Sequence, residues 1–261
     1  MQLQFDYQMQ LRYSLPAERC FYTLKCIPKD TERQRLLTKE VQITPSSPWT
    51  EGTDGWGNRK LYGCIAEPHQ RFSFRICGTV ESFPERYEAL HGTAGMYRYP
   101  FGKSAPGPGI CAFFRSLPLA NCTGAPEKCL RILHCLHERF AYVRQQTSAE
   151  TTAEQAWALG MGVCQDFSHI YAALLRLAGI PARYVCGLMA GEGESHAWVE
   201  ALCDGQWLGL DPTNDCPADG SYIKLGDGRD ASECAINRGI LLGGGIQQQR
   251  VNAVVTPVKD K

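Results

Sequence analysis

The chain has 261 residues, 44% of them hydrophobic, with 27 basic side chains against 27 acidic ones, enough for a substantial core in one large domain or two smaller ones. The balance is +4 over residues 1–120 and −4 over residues 121–261, so neither half carries the basic excess of a nucleic-acid surface. No stretch approaches the roughly 18 apolar residues of a membrane helix, and residues 1–30, with Asp6, Arg12, Glu18 and Arg19, lack the apolar run of a signal peptide.

Alternation opens the chain. Leu3, Phe5, Tyr7, Met9, Leu11, Tyr13 and Leu15 take every second position, the pattern of a strand with one buried and one wet face. Stretches 21–27, 36–44, 60–65 and 71–80 continue in strand composition, and Asp54-Gly55 and Gly57-Asn58 mark a turn with Trp56 over the hairpin end. Residues 1–85 therefore read as an antiparallel β domain. Residues 86–124, rich in Gly, Pro and aromatics, read as a connector over the surface, in which Tyr97, Tyr99 and Phe101 either anchor the segment or line a cleft. Residues 125–261 form the core domain. Its first helix spans 127–140, with Leu130, Leu133, Leu136 and Phe140 on one side, and a shorter helix over 152–158 leads into Gly162-Val163-Cys164-Gln165-Asp166-Phe167.

After Cys164 the apolar residues Phe167, Ile170, Tyr171, Leu174, Leu175 and Ala178 recur at helical period, Gly179 supplies a left-handed cap and Pro181 forbids continuation. Cys164 thus opens a helix, where unsatisfied amides and the helix dipole favour a thiolate. Three strands follow over 182–189, 195–202 and 206–210, with Gly191-Glu192-Gly193-Glu194 and Cys203-Asp204-Gly205 as turns. His196 starts the second and Asp211 ends the third. In antiparallel strands joined by a short hairpin those positions are neighbours. Closing strands complete the core domain; Gly243-Gly244-Gly245 is a flexible turn and, without a following Gly-Lys-Ser/Thr, no phosphate loop.

Cys164, His196 and Asp211 stand in the order nucleophile, base and orienting carboxylate, the three parts thiol acyl chemistry needs. Singly, each has a structural reading: a packed cysteine, a hydrogen-bonded histidine, a turn-forming aspartate before Pro212. Together, each at the end of an element, they point to a site. Trp157 and Gln165 are the oxyanion-side or cleft candidates, though Trp157 fits packing against the β layer equally well. Asp166 reads as a cap of the first helical turn and Trp198 as structural support. Arg183 has Asp166 or Glu200 as partner, Glu192 and Glu194 rim the cleft, and Asp215 reads as a solvated turn residue.

Four segments resemble the transglutaminase-like superfamily in order and spacing: Gly-Val-Cys-Gln-Asp-Phe at 162–167, Gly-Ile-Pro-Ala-Arg-Tyr-Val at 179–185, Ser-His-Ala-Trp-Val-Glu at 195–200, and Trp-Leu-Gly-Leu-Asp-Pro-Thr-Asn at 207–214. Asp54-Gly55-Trp56-Gly57-Asn58 is similar to a hairpin of the β domain that precedes the core in many prokaryotic members, and residues 228–258 to their closing segment. The resemblance implies an α+β, papain-like core with a Cys164-His196-Asp211 triad acting on peptide or glutamine-type amides. Water as acceptor gives a peptidase or amidase, and an amine gives a crosslinking transglutaminase; the sequence leaves both open. A non-catalytic protein-binding scaffold of the same fold and a metal-dependent hydrolase are the rivals from other classes.

Thirteen cysteines, an odd number with no Cys-x-x-Cys, read as reduced thiols in a cytoplasmic protein rather than as a disulfide framework or zinc ribbon. Cys129, His134, Cys135 and His137 share a helix but do not complete a tetrahedral set on one face, and Asp227-Gly228-Arg229-Asp230 is too short for a calcium loop. No metal or cofactor is expected. The expected partner is a protein or peptide substrate, with no nucleic acid and no membrane.

Overall fold

The computed structural model describes residues 1–89 and 94–258. Strands β1 (Gln2–Leu24), β2 (Gln34–Thr44), β3 (Trp49–Thr53), β4 (Arg59–Ile65) and β5 (His69–Ser82) come first, followed by β6 (Glu88–Ala89), α1 (Gly95–Arg98), a 3-10 turn at Gly102–Ser104 and α2 (Pro108–Ser116). Next are α3 (Ala125–Arg139), β7 (Ala141–Tyr142), α4 (Ala153–Leu159), β8 (Met161–Gly162) and α5 (Cys164–Leu177). The last part runs through β9 (Ala182–Met189), β10 (Gly191–Gly193), β11 (His196–Cys203), β12 (Gln206–Asp211), β13 (Cys216–Pro217), β14 (Tyr222–Gly228), α6 (Ala231–Cys234), β15 (Asn237–Gly243) and β16 (Gln247–Pro257). The fold is α+β: an N-terminal sheet, a papain-like core sheet, and helices packed on the latter.

β1 is the spine of the N-terminal sheet. One edge pairs with β16 and then β15, the other with β5 and then β4. The alternation predicts a strand that stops near Leu15; the strand instead continues to Leu24. Register shifts beside residues 12–19 accommodate Pro16, which has no N–H to donate, and bend the strand there. The closing strands, which the sequence groups with the catalytic core, hydrogen-bond to β1 instead. A 23-residue strand with an apolar face would otherwise present a long unpaired edge.

The core sheet runs β13-β12-β11-β9-β14, with β6 beside β12. α5 lies across β11 and β9. The apolar period predicts an amphipathic helix, yet every residue from Asp166 to Arg176 is buried. Two polar residues of the helix find partners inside the protein: Arg176 donates to the carbonyls of Tyr97, Ala182 and Arg229 and to Ser104 Oγ, and His169 Nε2 accepts from the Ala231 amide, whereas Ser168 Oγ and His169 Nδ1 have no hydrogen-bond partner among the described residues. Two of the four groups that meet Arg176, on Tyr97 and Ser104, come from the 86–124 segment, expected as a surface connector. Outside residues 90–93, which lie beyond the described residues, that segment is packed rather than loose. Ile110 of α2 is fully buried, and Tyr97 sits between Trp56 and Trp207 with ring centroids at 5.6 and 5.4 Å. α2 escapes the sequence pattern because Gly107, Pro108 and Gly109 begin it; its first amides, at Gly107, Gly109 and Ile110, donate to Glu154 of α4.

The two sheets share one hydrophobic cluster. Leu3, Phe5, Tyr7, Phe74 and Ile76 of the first sheet pack in it with Tyr184, Cys186, Leu188, Ile223 and Leu225 of the second. A buried charge network adds to the junction. Lys224 is 2.8 Å from Glu200 and 3.1 Å from Asp227, Lys29 is 2.8 Å from Asp227, and Arg183 binds both Glu200 and Glu88. Burial alone would push the Glu88 carboxyl up, but Lys224 and Arg183 hold it down at about 2. Removing one charge from such a set leaves its partners buried and uncompensated. Lys224→Met is accordingly expected to destabilise the fold by about 3–5 kcal/mol, read as a lower midpoint in urea unfolding. An unchanged midpoint would show that the network is energetically neutral.

Candidate active site

Cys164 is the first residue of α5, and the turn that delivers it is built from close contacts. Val163 donates its backbone N–H to Asp166 Oδ2 at 2.8 Å, and Thr147 Oγ1 donates to the same oxygen at 2.6 Å. Asp166 therefore ties the turn to the loop before α4 as well as capping the helix. A side chain at Gly162 would begin 2.5 Å from that carboxylate oxygen, so the residue two before the thiol must be glycine for the turn to close. Burial raises the Asp166 pKa, against these hydrogen bonds.

The opposite wall comes from the core sheet. β11 starts at His196 and β12 ends at Asp211, and their antiparallel register, Val199 opposite Leu210, brings the two side by side. His196 Nε2 lies 2.7 Å from Asp211 Oδ2, which leaves Nδ1 for the thiol of Cys164. Asp211 is fully buried and its carboxylate is saturated. Oδ2 also accepts from Asn214 Nδ2 at 2.7 Å and from the Tyr222 hydroxyl at 2.8 Å; Oδ1 accepts the amides of Thr213 and Asn214 at 2.9 and 3.3 Å.

Electrostatics follow from these contacts. Burial alone would depress the His196 pKa, but hydrogen bonds and charge from Asp211 and Cys164 outweigh it and lift it to about 10. Burial likewise opposes ionisation of Asp211, and His196, Asn214 and Tyr222 together hold its carboxyl below the usual range. Histidine and aspartate are thus an ion pair at neutral pH, with the thiol facing a cationic ring. Such an arrangement can supply a nucleophile, a proton donor for a leaving amine and a fixed imidazole tautomer.

The other residues singled out in the sequence take different places. Trp198 is buried with its ring 6.5 Å from that of His196 and 23° from parallel, and edge-on to Tyr222. Trp157 lies against Phe113 and Phe140, ring centroids at 4.6 and 6.5 Å; its neighbours are helices α2 and α3, not the β layer. Gln165 is half-buried in the first turn of α5. Arg183 takes Glu200 as partner, not Asp166. Residues 191–193, read as turn, form β10 and pair with β16, and Glu194 faces Arg144 at 3.4 Å. Asp215 is not simply solvated: at φ +53° its carboxylate meets His134 Nδ1 at 2.6 Å. His169, one turn beyond the thiol, is pushed down to about 4 by burial and is a neutral structural residue.

Tyr222 and Thr147 are the site residues that sequence reasoning misses. Tyr222 stands 11 residues beyond Asp211 on a separate strand, outside every motif, and nothing local marks it. Asn214 carried a signal, as the last member of Asp-Pro-Thr-Asn. No group of three or more His, Cys, Asp or Glu among the described residues is placed to hold a metal ion, and none of their helices is long and apolar enough to cross a membrane.

Comparison with known proteins places the chain in a family. The profile of the transglutaminase-like superfamily matches residues 117–212, which include Cys164, His196 and Asp211, and that of the bacterial transglutaminase-like N-terminal region matches residues 3–81. An uncharacterised protein of Mycobacterium leprae is 26% identical over 94% of both chains. One from Mycobacterium tuberculosis is 30% identical, covering 82% of this chain and 79% of its own length. A protein-glutamine gamma-glutamyltransferase of Pseudomonas aeruginosa is 36% identical over 92 residues, 30% of this chain and 14% of that one. A crystal structure from Cytophaga hutchinsonii, described as that of a candidate cysteine protease, superposes with a TM-score of 0.83 over 100% of this chain and 92% of its own, at 21% identity, and so shares the fold. The chain belongs to the transglutaminase-like superfamily, with a bacterial transglutaminase-like N-terminal region ahead of the core.

Proposed function

We propose that the protein is a thiol acyl-transfer enzyme that opens peptide or glutamine-type amide bonds through Cys164, His196 and Asp211, as a cysteine peptidase or amidase. One observation carries this reading: the His196 ring lies between a helix-opening thiol and a buried, saturated carboxylate. The Cys164 thiolate attacks the amide carbonyl, and the tetrahedral oxyanion is held by the Cys164 backbone amide and one other donor. Gln165 is the side chain nearest in sequence to serve it, while Trp157, packed between Phe113 and Phe140, shapes the helical wall. The His196 imidazolium then protonates the departing amine, the thioester remains on Cys164, and an incoming acceptor loses its proton to His196 as it releases the acyl group.

Transfer to an amine is the second reading, favoured by the 92-residue similarity to a gamma-glutamyltransferase. The two differ only in the acceptor. A peptide library treated in 18O-labelled water with a primary amine present separates them: 18O in new carboxylates marks hydrolysis, the mass of the amine marks transfer. Incorporation of neither label into any peptide would count against both readings.

Two predictions follow from the ion pair. The His196 ring, observed by NMR, is expected to titrate near pH 10, with Cys164→Ala and Asp211→Asn each lowering the midpoint by removing a partner. Because this pKa stands above the ordinary 6.5 and that of Asp211 below the ordinary 3.8, the stability the pair contributes is fully present between those two values, and is lost as pH rises through about 10 or falls below the carboxylate range. A midpoint near 6.5, unmoved by either substitution, would contradict the pairing. For turnover, Asp211→Asn is expected to preserve folding yet lower kcat by about 10- to 1,000-fold, since an amide there favours the wrong tautomer while a thiol nucleophile depends less on base catalysis than a serine does. Asp215→Asn, at a carboxylate that meets His134 on α3, is expected to change kcat little; a larger loss from it than from Asp211→Asn would remove Asp211 from the triad.

A further inference from the structure

The segments that lead to Cys164 and to His196 meet at a charged pair that the proposed chemistry does not use. Short parallel strands β7 and β8 align Tyr142 with Gly162, and Val143 donates its amide to the Gly162 carbonyl at 2.9 Å. The chain after β7 therefore runs beside the segment that delivers Cys164, and Arg144 projects from it. Across the opening, Glu194 precedes His196 by two residues, at the end of a hairpin that β16 holds through β10. Arg144 Nη1 and a Glu194 carboxylate oxygen are 3.4 Å apart, and both side chains are about 60% exposed, at 64% and 59%. The guanidinium also lies beside the Tyr142 hydroxyl.

An exposed ion pair of this length contributes little to stability, so it exchanges readily. A guanidinium offers five donors in a planar fork and binds a carboxylate best in two-pronged contact; Glu194 supplies one long contact. We propose that Arg144 is a carboxylate-binding subsite next to the reacting sulfur, occupied by Glu194 when the cleft is empty, and that the substrate carries a carboxylate within about one or two residues of the amide that is opened. Resting on Cys164 as the nucleophile, it adds the substrate class. An acidic side chain or a free chain terminus supplies the same group. Substrate binding then replaces an internal carboxylate by an external one on the guanidinium, and the exposed Glu194 is released to solvent. The acidic hairpin residues Glu192 and Glu194 would by themselves attract the opposite class, a basic substrate, so the two readings give opposite results.

Paired alkylating reagents test this without a known substrate. Iodoacetate and iodoacetamide react with Cys164 by the same displacement of iodide and differ in whether a carboxylate accompanies the reacting carbon. Their rate ratio at Cys164, followed by site-resolved mass spectrometry near pH 6, cancels changes in the reactivity of the sulfur itself. Wild-type protein is expected to favour iodoacetate more than free cysteine does. Arg144→Gln should lower the ratio by about three- to ten-fold, and Arg144→Lys by less, because an ammonium keeps the charge without the fork. Glu194→Gln should raise the ratio, and that gain should vanish when Arg144→Gln is also present. A ratio unaffected by Arg144→Gln, a preference for iodoacetamide over the free-thiol value, or a Glu194→Gln gain that survives without Arg144 would each overturn the subsite. Alkylation confined to other cysteines, with Cys164 inert to both reagents, would instead remove the nucleophile, and the subsite with it.

Discussion

A carboxylate sealed from water must have all its lone pairs satisfied, and Asp211 sets that requirement at the centre of this fold. Its five donors come from His196 on β11, Tyr222 on β14, and the Thr213 and Asn214 backbone and side chain that follow β12. Leaving such a charge unmatched would cost several kcal/mol, so the strands and the turn after β12 are held in mutual register by one side chain. The imidazole is fixed as a consequence. With Nε2 committed to Asp211, the ring has one orientation, and its remaining nitrogen faces the start of α5.

Register across the two sheets does the rest. The N-terminal sheet touches the site through β16, which pairs with β10 immediately ahead of His196, and through the cluster in which Tyr7 and Phe5 pack against Tyr184 and Cys186. Cys164 itself borders that cluster. On the other side, Thr147 and Asp166 clamp the turn that precedes the thiol. The nucleophile wall thus answers to helices α4 and α5, and the base wall to both sheets. Movement of the N-terminal sheet relative to the helices would change the gap between thiol and ring, which gives the first 82 residues a role in holding the site as well as in covering the core.

Much of this was legible because it is local. Cys164, His196 and Asp211 each sit at an element boundary marked by glycine, proline or a change of period, and short antiparallel connections make neighbours of strand ends. The alternation from Leu3 to Tyr13 marks the buried face of β1 for the same reason, whereas Leu15, expected on that face, is exposed just before Pro16. Contacts made across the fold left no such mark. Tyr222 and Thr147 reach the site from other elements, and β15 and β16 find β1 after more than 200 intervening residues. The length of β1 was underestimated because Pro16 ordinarily ends a strand, and here register shifts absorb it. α2 was hidden by the two glycines and the proline at its start, whose exposed amides are answered by Glu154, a partner 44 to 47 residues away. Asp215 looked solvated because its partner, His134, belongs to a helix 81 residues earlier.

The central claim is covalent: an acyl group passes through the Cys164 sulfur. Rapid acid quenching of the protein with an activated acyl donor, followed by intact-mass and peptide mapping, tests it most directly. The account predicts a transient mass increase equal to the acyl group, located on Cys164, absent in Cys164→Ser and longer-lived when His196 is replaced by glutamine, since the thioester then lacks the base that activates its acceptor. Acylation at another residue, or turnover of the donor that persists in Cys164→Ser, would contradict it.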